Sequence, residues 1–284
     1  MQYQTNQVGI IGLGVVGKTL CHNMFEKRIS FSVYDINERA STDMHEKYKC
    51  VQCTSTQQLL QSCNIVFLAL PTEVASSSEK GYDLKSFHDV FHVCHPNMII
   101  YICSTLLPTT TQQFKQSYPH LNIFHVPEFL SSSSSILDST QPTRRDMLLG
   151  VPSQTPASVE DRARTFLALY AHPLQNVTVV HSNETEATKL FCNAFYAVKV
   201  QLYNEFYSIC KSHNISYNMV RHLMLQNGWI HPMHTQVPGS DGSFGFGGKC
   251  LPKDLEALVQ WTSNAQSSSK NDVLAATLTS HQKQ

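Results

Sequence analysis

Short, almost unbroken apolar runs alternate with helical spacings through the first half of the chain. Val8 to Ile11 is the first such run, and Leu20, Met24 and Phe25 behind it have the spacing of a helix. Phe31 to Tyr34, Asn64 to Leu70, Met98 to Cys103 and Leu121 to Val126 repeat the run, with helical patterns from Leu84 to Val93 and from Thr110 to Tyr118. Strands that are apolar on both sides of the pleat belong in a sheet covered by helices on both faces. Met147 to Gly150 resumes as a strand, Ala157 to Leu169 reads as a helix, and Val177 to Val180 closes this half. Repeated βα units predict an α/β fold, a doubly wound parallel sheet of the Rossmann type. No internal repeat of solenoid period is present.

The second half has a different rhythm. From Asn183 to about His213 one helical pattern runs without Gly or Pro, with apolar positions at Ala187, Leu190, Phe191, Ala194, Val198, Leu202, Phe206 and Ile209. At 1.5 Å per residue it spans roughly 45 Å, long enough to connect two domains or to build a dimer core. Lys189 and Asn193, four apart, project from one face of it. For a single Lys or Asn, ordinary surface polarity is the usual reading. A loop from Gln226 to Gly248 follows, then a helix opening near Pro252 with Leu255, Leu258 and Val259 on its apolar face, then a short helix or frayed tail from Asn271 to Gln284. The pattern divides the chain into a sheet domain, 1–182, and a smaller helical domain, 183–284.

Composition narrows the class. The 284 residues are 42% hydrophobic and 15% charged, with 21 basic and 21 acidic side chains, so no basic field invites nucleic acid and no acidic tail is present. No apolar run reaches the ~18 residues of a membrane span. Met1 to Gln7 lacks the regions of a signal peptide, and nine cysteines without such a signal predict free thiols in a reducing cytoplasm. Cys50-x-x-Cys53 invites a zinc or redox reading, with His45 and Cys63 near in sequence, but no second C-x-x-C completes a structural site. His231-x-x-His234 lies in a Pro-containing loop, where a solvated or substrate-facing segment is expected. No metal is expected at either. Cys192 and Cys210 fall on the long helix, as core or interface positions.

Two stretches carry chemistry. Gly12-Leu-Gly14-Val15-Val16-Gly17 follows the first strand and opens a helix, and Asp35 ends the second strand about twenty residues on. That context seats a pyrophosphate on a helix N-terminus and a ribose diol on the carboxylate, and it favours NAD over NADP because an acid repels a 2′-phosphate. Pro71-Thr72, Ser104-Thr105 and Pro127-Glu128 each end a strand, where ligands of such sheets bind. The second stretch, Gly242 to Leu258, joins a glycine-rich loop, Cys250 and a helix start. A cysteine just before a helix N-terminus, beside Lys249 and Lys253, is favoured as a thiolate nucleophile. A small buried hydrophobe beside a flexible loop is the alternative, and the local sequence leaves both open.

These stretches together resemble the UDP-glucose/GDP-mannose dehydrogenase family. The resemblance rests on the glycine fingerprint, Leu70-Pro71-Thr72, Ser104-Thr105, Pro127-Glu128-Phe129-Leu130, Lys189-Leu-Phe-Cys-Asn193, Asn204-Glu205 and Phe244-Gly-Phe-Gly-Gly-Lys-Cys250-Leu-Pro-Lys-Asp254, across nearly the whole chain. It implies oxidation of the primary alcohol of a sugar nucleotide such as UDP-glucose to a carboxylate, in two hydride transfers to NAD+. Cys250 would carry a thiohemiacetal and then a thioester. Lys189 and Asn193 would steady the oxyanions, Asp254 would handle water and protons, Glu128 would be the base for thioester hydrolysis, and Thr105 would position water. Gly12, Gly14, Val15, Val16, Gly17, Asp35, Pro71, Thr72 and Ser104 would hold the cofactor. Phe129, Leu130, Phe244, Gly245, Gly247 and Lys253 would meet the substrate. A homodimer through the helix 183–213 is expected.

The sequence departs from the family's pattern in three places. Five serines, Ser131 to Ser135, replace a charged, glycine-containing segment, and no arginine stands near Asn227-Gly-Trp-Ile230 where many members have one. Members continue for another hundred or so residues into a UDP-binding domain, while this sequence stops at Gln284, and that domain is expected to be absent. Two alternatives remain: a β-hydroxyacid-type dehydrogenase, which makes one hydride transfer and needs no cysteine, and a non-catalytic binding remnant.

Overall fold

The computed structural model describes residues 8–75, 81–129, 146–171, 176–264 and 271–282. The chain separates into two compact units, Met1–Thr72 with Asp83–Lys189, and Glu73–Tyr82 with Leu190–Gln284. The division falls inside one long helix, and a short segment inserted in the first half belongs to the second unit.

The first unit is a sheet of eight strands: β1 (Val8–Ile11), β2 (Phe31–Tyr34), β3 (Val51–Gln52), β4 (Ile65–Leu68), β5 (Ile99–Ile102), β6 (Asn122–His125), β7 (Met147–Val151) and β8 (Val177–His181), in the order β3-β2-β1-β4-β5-β6-β7-β8. Its helices are α1 (Val15–Glu26), α2 (Glu38–Tyr48), α3 (Thr56–Ser62), α4 (Lys85–Phe91), α5 (Thr110–Ser117) and α6 (Ala157–Tyr170), followed by the start of α7 (Ser182–Ser212). Alternate residues of a strand point to opposite faces. Accordingly Ile65, Phe67, Ile99 and Tyr101 enter one apolar cluster, with Leu20, Met24 and Phe166. Val66, Leu68, Ile100 and Ile102 enter another, with Leu59, Phe87 and Phe114. Both faces are covered, which is why these strands read as continuous apolar runs.

β1 to β6 run parallel to one another, but β7 meets β6 antiparallel, through His125 opposite Gly150, and β8 pairs parallel with β7. The predicted parallel sheet thus ends in a reversed pair, because burial reports that a strand is covered and not its direction. α2, β3 and α3 also lay outside the expectations. Only Ser41, Met44 and Tyr48 of α2 are buried, too sparse an apolar stripe to stand out.

The second unit holds the rest of α7 with α8 (Tyr217–Gln226), α9 (Leu251–Asn264) and α10 (Asp272–Gln282), around Tyr203, Cys210, Tyr217 and Val237. α8 was not anticipated: Tyr217 is its buried residue while Met219 and Leu223 face outward. Ser216 caps it by accepting the Met219 N–H. Tyr217 Oη donates to the Thr235 carbonyl at 2.6 Å and Arg221 donates to the same residue, so α8 holds the loop that follows it.

Candidate active site

Parallel register brings one row of residues, Tyr34, Ile11, Leu68, Ile102 and His125, side by side across the first unit. The residues that follow each of them therefore leave the sheet at the same edge. Ladder bonds carry this one step further, with Gly12, Ala69, Cys103 and Val126 N–H groups donating to the neighbouring strands at 2.8–3.0 Å. This edge receives Asp35, Pro71, Thr72, Ser104, Thr105 and Glu128 from successive strands.

The glycine turn at this edge has no room for side chains where it is folded and open space where it is not. Gly12 has φ +91°, and a Cβ there would overlap the Ala69 carbonyl; a Cβ on Gly17 would overlap the Gly12 carbonyl. At Gly14 nothing lies within 4 Å of where a Cβ would stand. Gly14 precedes α1, whose first turn has no acidic residue and no side-chain cap, so its N–H groups and positive end are left for an anion. Val15 is 45% exposed beside it and Val16 is half-buried. Asp35, half-buried at the end of β2, accepts the Leu13 N–H at 2.6 Å and the Asn37 N–H at 2.8 Å, which fixes its carboxylate against the glycine turn. These residues fit a dinucleotide, whose pyrophosphate Gly14 and the α1 N-terminus would seat and whose ribose Asp35 would bind.

Among the other strand ends, Thr72 is buried, Pro71 is exposed and Thr105 is half-buried. Ser104 spends its hydroxyl on the Leu70 carbonyl at 2.6 Å. Glu128 is half-buried by accessible surface, yet enough protein surrounds the carboxyl that desolvation pushes it up to about 7, against the pull of the Lys189 ammonium. Lys189 also lies over the Phe129 ring, 5.3 Å from its centre. Leu130 and the serine run Ser131–Ser135 lie outside the described residues.

Two buried residues that the sequence did not single out support this edge. His125 has no exposed surface; its Nδ1 meets Thr185 Oγ1 at 2.8 Å and its Nε2 meets the Ser104 carbonyl at 3.2 Å. Burial lowers it to about 4, so it is a neutral ring, and its Nε2–H donates to the Ser104 carbonyl. Glu186, also fully buried, accepts the N–H groups of Thr109 and Thr111 and the Thr111 hydroxyl at 2.6–2.8 Å. It serves as the cap that Thr109 does not supply to α5.

The second unit carries the other set. Cys250 immediately precedes α9 and is exposed, unlike the other cysteines, of which Cys192 is intermediate and the rest are buried. The reading of Cys250 as a small buried hydrophobe is thereby overturned. The loop before it turns through Gly245 and Gly248, both at positive φ, and the Gly245 N–H is held by Asn204 Oδ1 on α7 at 2.9 Å. Phe244 is 56% exposed, and at Gly247 and Gly248 nothing stands within 4 Å of a hypothetical Cβ. One turn into α9, Asp254 is fully buried. It accepts the Asn193 side-chain N–H at 2.6 Å on Oδ2, and on Oδ1 it accepts the Tyr82 hydroxyl at 2.6 Å and the Lys253 ammonium. Tyr82 was not foreseen. Its only sequence signal is an aromatic ten positions beyond Thr72, which says nothing about a partner in α9.

Among the described residues no group of three or more His, Cys, Asp and Glu side chains could hold a metal, and no helix is long and apolar enough to cross a membrane.

Comparison with known proteins agrees with this chemistry. Residues 183–281 match the central domain of the UDP-glucose/GDP-mannose dehydrogenase family, and residues 7–126 match the NAD binding domain of 6-phosphogluconate dehydrogenase. The UDP-glucose 6-dehydrogenase of Campylobacter jejuni is 30% identical over 274 residues, a span covering 89% of this chain and 67% of that protein. That of Streptococcus pneumoniae is 24% identical over 275 residues, 89% and 68% of the two chains. The sequence thus spans about two thirds of the length of these relatives. Among solved structures, a UDP-glucose dehydrogenase from the hyperthermophilic archaeon Pyrobaculum islandicum superposes with a TM-score of 0.78 at 19% identity, over 100% of this chain and 70% of its own. A 3-hydroxyisobutyrate dehydrogenase from Mycobacterium tuberculosis does so with 0.74 at 16%, over 99% and 94%. These two likenesses speak to the fold alone. The alignment with the Campylobacter enzyme, the central-domain match and the dinucleotide cradle converge: the chain belongs to the UDP-glucose/GDP-mannose dehydrogenase family and is an NAD-dependent oxidoreductase.

Proposed function

We propose that the protein oxidises the C6 primary alcohol of a nucleotide sugar, UDP-glucose to UDP-glucuronate, by four electrons, holding the intermediate on Cys250. The observation that carries this reading is the exposed Cys250 at the start of α9, one turn from a buried Asp254 that binds Asn193. NAD+ held at the glycine turn and Asp35 would supply the hydride acceptor for both oxidations at C6. Between them the Cys250 sulfur bonds to the aldehyde carbon, and the carbonyl oxygen takes a proton, giving a thiohemiacetal. Its oxidation leaves a thioester; water then adds at the carbonyl, the C–S bond breaks and the thiolate departs. In sum, alcohol, water and two NAD+ become carboxylate, two NADH and three protons.

The roles of the chain's own groups follow its chemistry. Lys189 and Asn193 bring an ammonium and an amide N–H to the oxygen that carries charge at each stage. Glu128, pushed up to about 7 by burial, is poised to take up a proton near neutral pH, as a general base for thioester hydrolysis should be. Thr105 positions that water, and Asp254 handles protons through the groups bound to it. Gly12, Gly14, Val15, Val16, Gly17, Asp35, Pro71, Thr72 and Ser104 hold the cofactor; Phe129, Leu130, Phe244, Gly245, Gly247 and Lys253 meet the substrate. In this reading residues 1–182 serve as the NAD-binding domain, and 183–284 as the helical domain that carries the nucleophile.

A homodimer through 183–213 is part of the proposal. Phe191, Phe195, Leu202 and Ile209 are 43–61% exposed along α7 at spacings of four, seven and seven, a seam that a second copy would cover. Nine free thiols suit a reducing cytoplasm. A single-transfer hydroxyacid reaction, which needs no cysteine, is the second reading; the hydroxyisobutyrate dehydrogenase likeness supports it at the level of fold alone.

The test is NADH formed per sugar consumed, with UDP-glucose and excess NAD+, in wild type and Cys250→Ser. Two NADH per sugar, lost in the variant, is expected. One per hydroxyacid, with Cys250→Ser unimpaired, selects the second reading, and NAD+ binding without turnover of either substrate indicates a binding remnant.

A further inference from the structure

We propose that Tyr82 is a positioning residue for this reaction, holding the Asp254 carboxylate so that Asp254 in turn holds the Asn193 amide. The inference rests on the reading of Asn193 and Asp254 given above. Tyr82, Asp254 and Asn193 are 7%, 0% and 6% exposed, and the two contacts, Tyr82 Oη to Oδ1 and Asn193 Nδ2 to Oδ2, are both 2.6 Å. The phenol and the amide thus occupy different oxygens of one carboxylate, so together they define its plane. A carboxylate only accepts, which dictates that Asn193 turns its nitrogen, not its oxygen, toward Asp254. That leaves the amide oriented as a donor group on α7, the property an oxyanion partner needs.

Tyr82 is itself well held. Val74 pairs with Tyr82 in an isolated antiparallel bridge, and the Ala75 N–H donates to the Gly81 carbonyl at 2.8 Å. The Lys253 ammonium lies 4.7 Å from its ring centre while also bonding Asp254, so ring and hydroxyl address two neighbouring residues of α9. Burial, followed by the adjacent carboxylate, pushes the phenol well up, which keeps it a donor throughout the working range. Without the hydroxyl, Lys253 alone remains on Oδ1 among these contacts, and a flexible ammonium fixes an acceptor less sharply than a buried phenol.

Tyr82→Phe removes the hydroxyl and keeps the ring under Lys253. The experiment follows the side-chain NH2 signals of 15N-labelled asparagine, with Asn193 assigned by its loss in Asn193→Asp, together with steady-state kinetics and melting temperature. In Tyr82→Phe the Asn193 signals are expected to move and to exchange with water at least about fivefold faster, the result of losing one charge-assisted hydrogen bond. kcat should fall about tenfold, with KM for sugar nucleotide and NAD+ within about twofold. Unchanged Asn193 signals overturn the proposal, as does a lowered melting temperature with kcat intact, which would mark packing alone. Should wild type turn over no nucleotide sugar, the functional reading falls while the Asn193 signals still decide whether Tyr82 acts through Asp254. If Tyr82→Phe does not fold, Asp254→Asn breaks the same chain from its middle. Unmoved Asn193 signals there also overturn the proposal.

Discussion

Replacing Glu186 tests whether burial or hydrogen bonding governs a carboxylate inside the first unit. Three donors, the Thr109 and Thr111 N–H groups and the Thr111 hydroxyl, favour its charged form, while complete burial favours the neutral one. Burial prevails and raises Glu186 from its ordinary 4.5 to about 7. The folded protein then keeps a proton that the unfolded chain releases between these two values, so stability falls as pH rises across that window. At 1.36 kcal/mol per unit the loss is about 3 kcal/mol, fully present as stabilisation below pH 4.5 and gone above pH 7. Glu186→Gln has no proton to lose, and the other titrating groups cancel in the comparison. Urea unfolding of both proteins by circular dichroism from pH 4 to pH 8 should show wild type losing about 3 kcal/mol relative to the Gln variant. A difference that stays flat across the range refutes the reasoning and means that the donors set the ionisation. Glu186→Ala, which leaves three donors at the start of α5 without their acceptor, should cost about 3 kcal/mol or more at pH 8.

Gly14→Ala should fold normally and bind NAD+ about tenfold more weakly, because its methyl enters the open space proposed to seat the pyrophosphate. Gly17→Ala, whose methyl meets the Gly12 carbonyl, should lose about 2 kcal/mol or more of stability; melting curves and NAD+ titrations separate the two. Glu128→Gln should abolish the rise of turnover with pH through about 7 and let a covalent sugar adduct of Cys250 accumulate, visible by mass spectrometry. Phe195→Glu with Leu202→Glu, both on the exposed seam of α7, should convert a dimer to a monomer in sedimentation.

What the sequence determined by itself are the features whose causes lie within a few residues or a fixed period. Strands covered on both faces are apolar at nearly every position, so β1, β4 and β5 were legible as runs. The turn from Gly12 to Gly17 is dictated by backbone crowding against Gly12 and Ala69, and a side chain at either end is excluded. Cys250 stands just before α9 because Pro252 and the apolar face of that helix place its start. Only the tertiary structure decided which buried polar groups meet. Tyr82 and Asp254 are 172 residues apart, Asn193 and Asp254 61, and Glu186 and Thr111 75. A buried donor requires an acceptor, but any of many acceptors satisfies that rule. Which one is met depends on where residues distant in sequence, such as Tyr82 and Asp254, come to rest after the sheet and helices have packed. The reversal of β7 and β8 has the same origin: their apolar residues are equally buried in either direction, and strand direction is set by the path of the connecting chain.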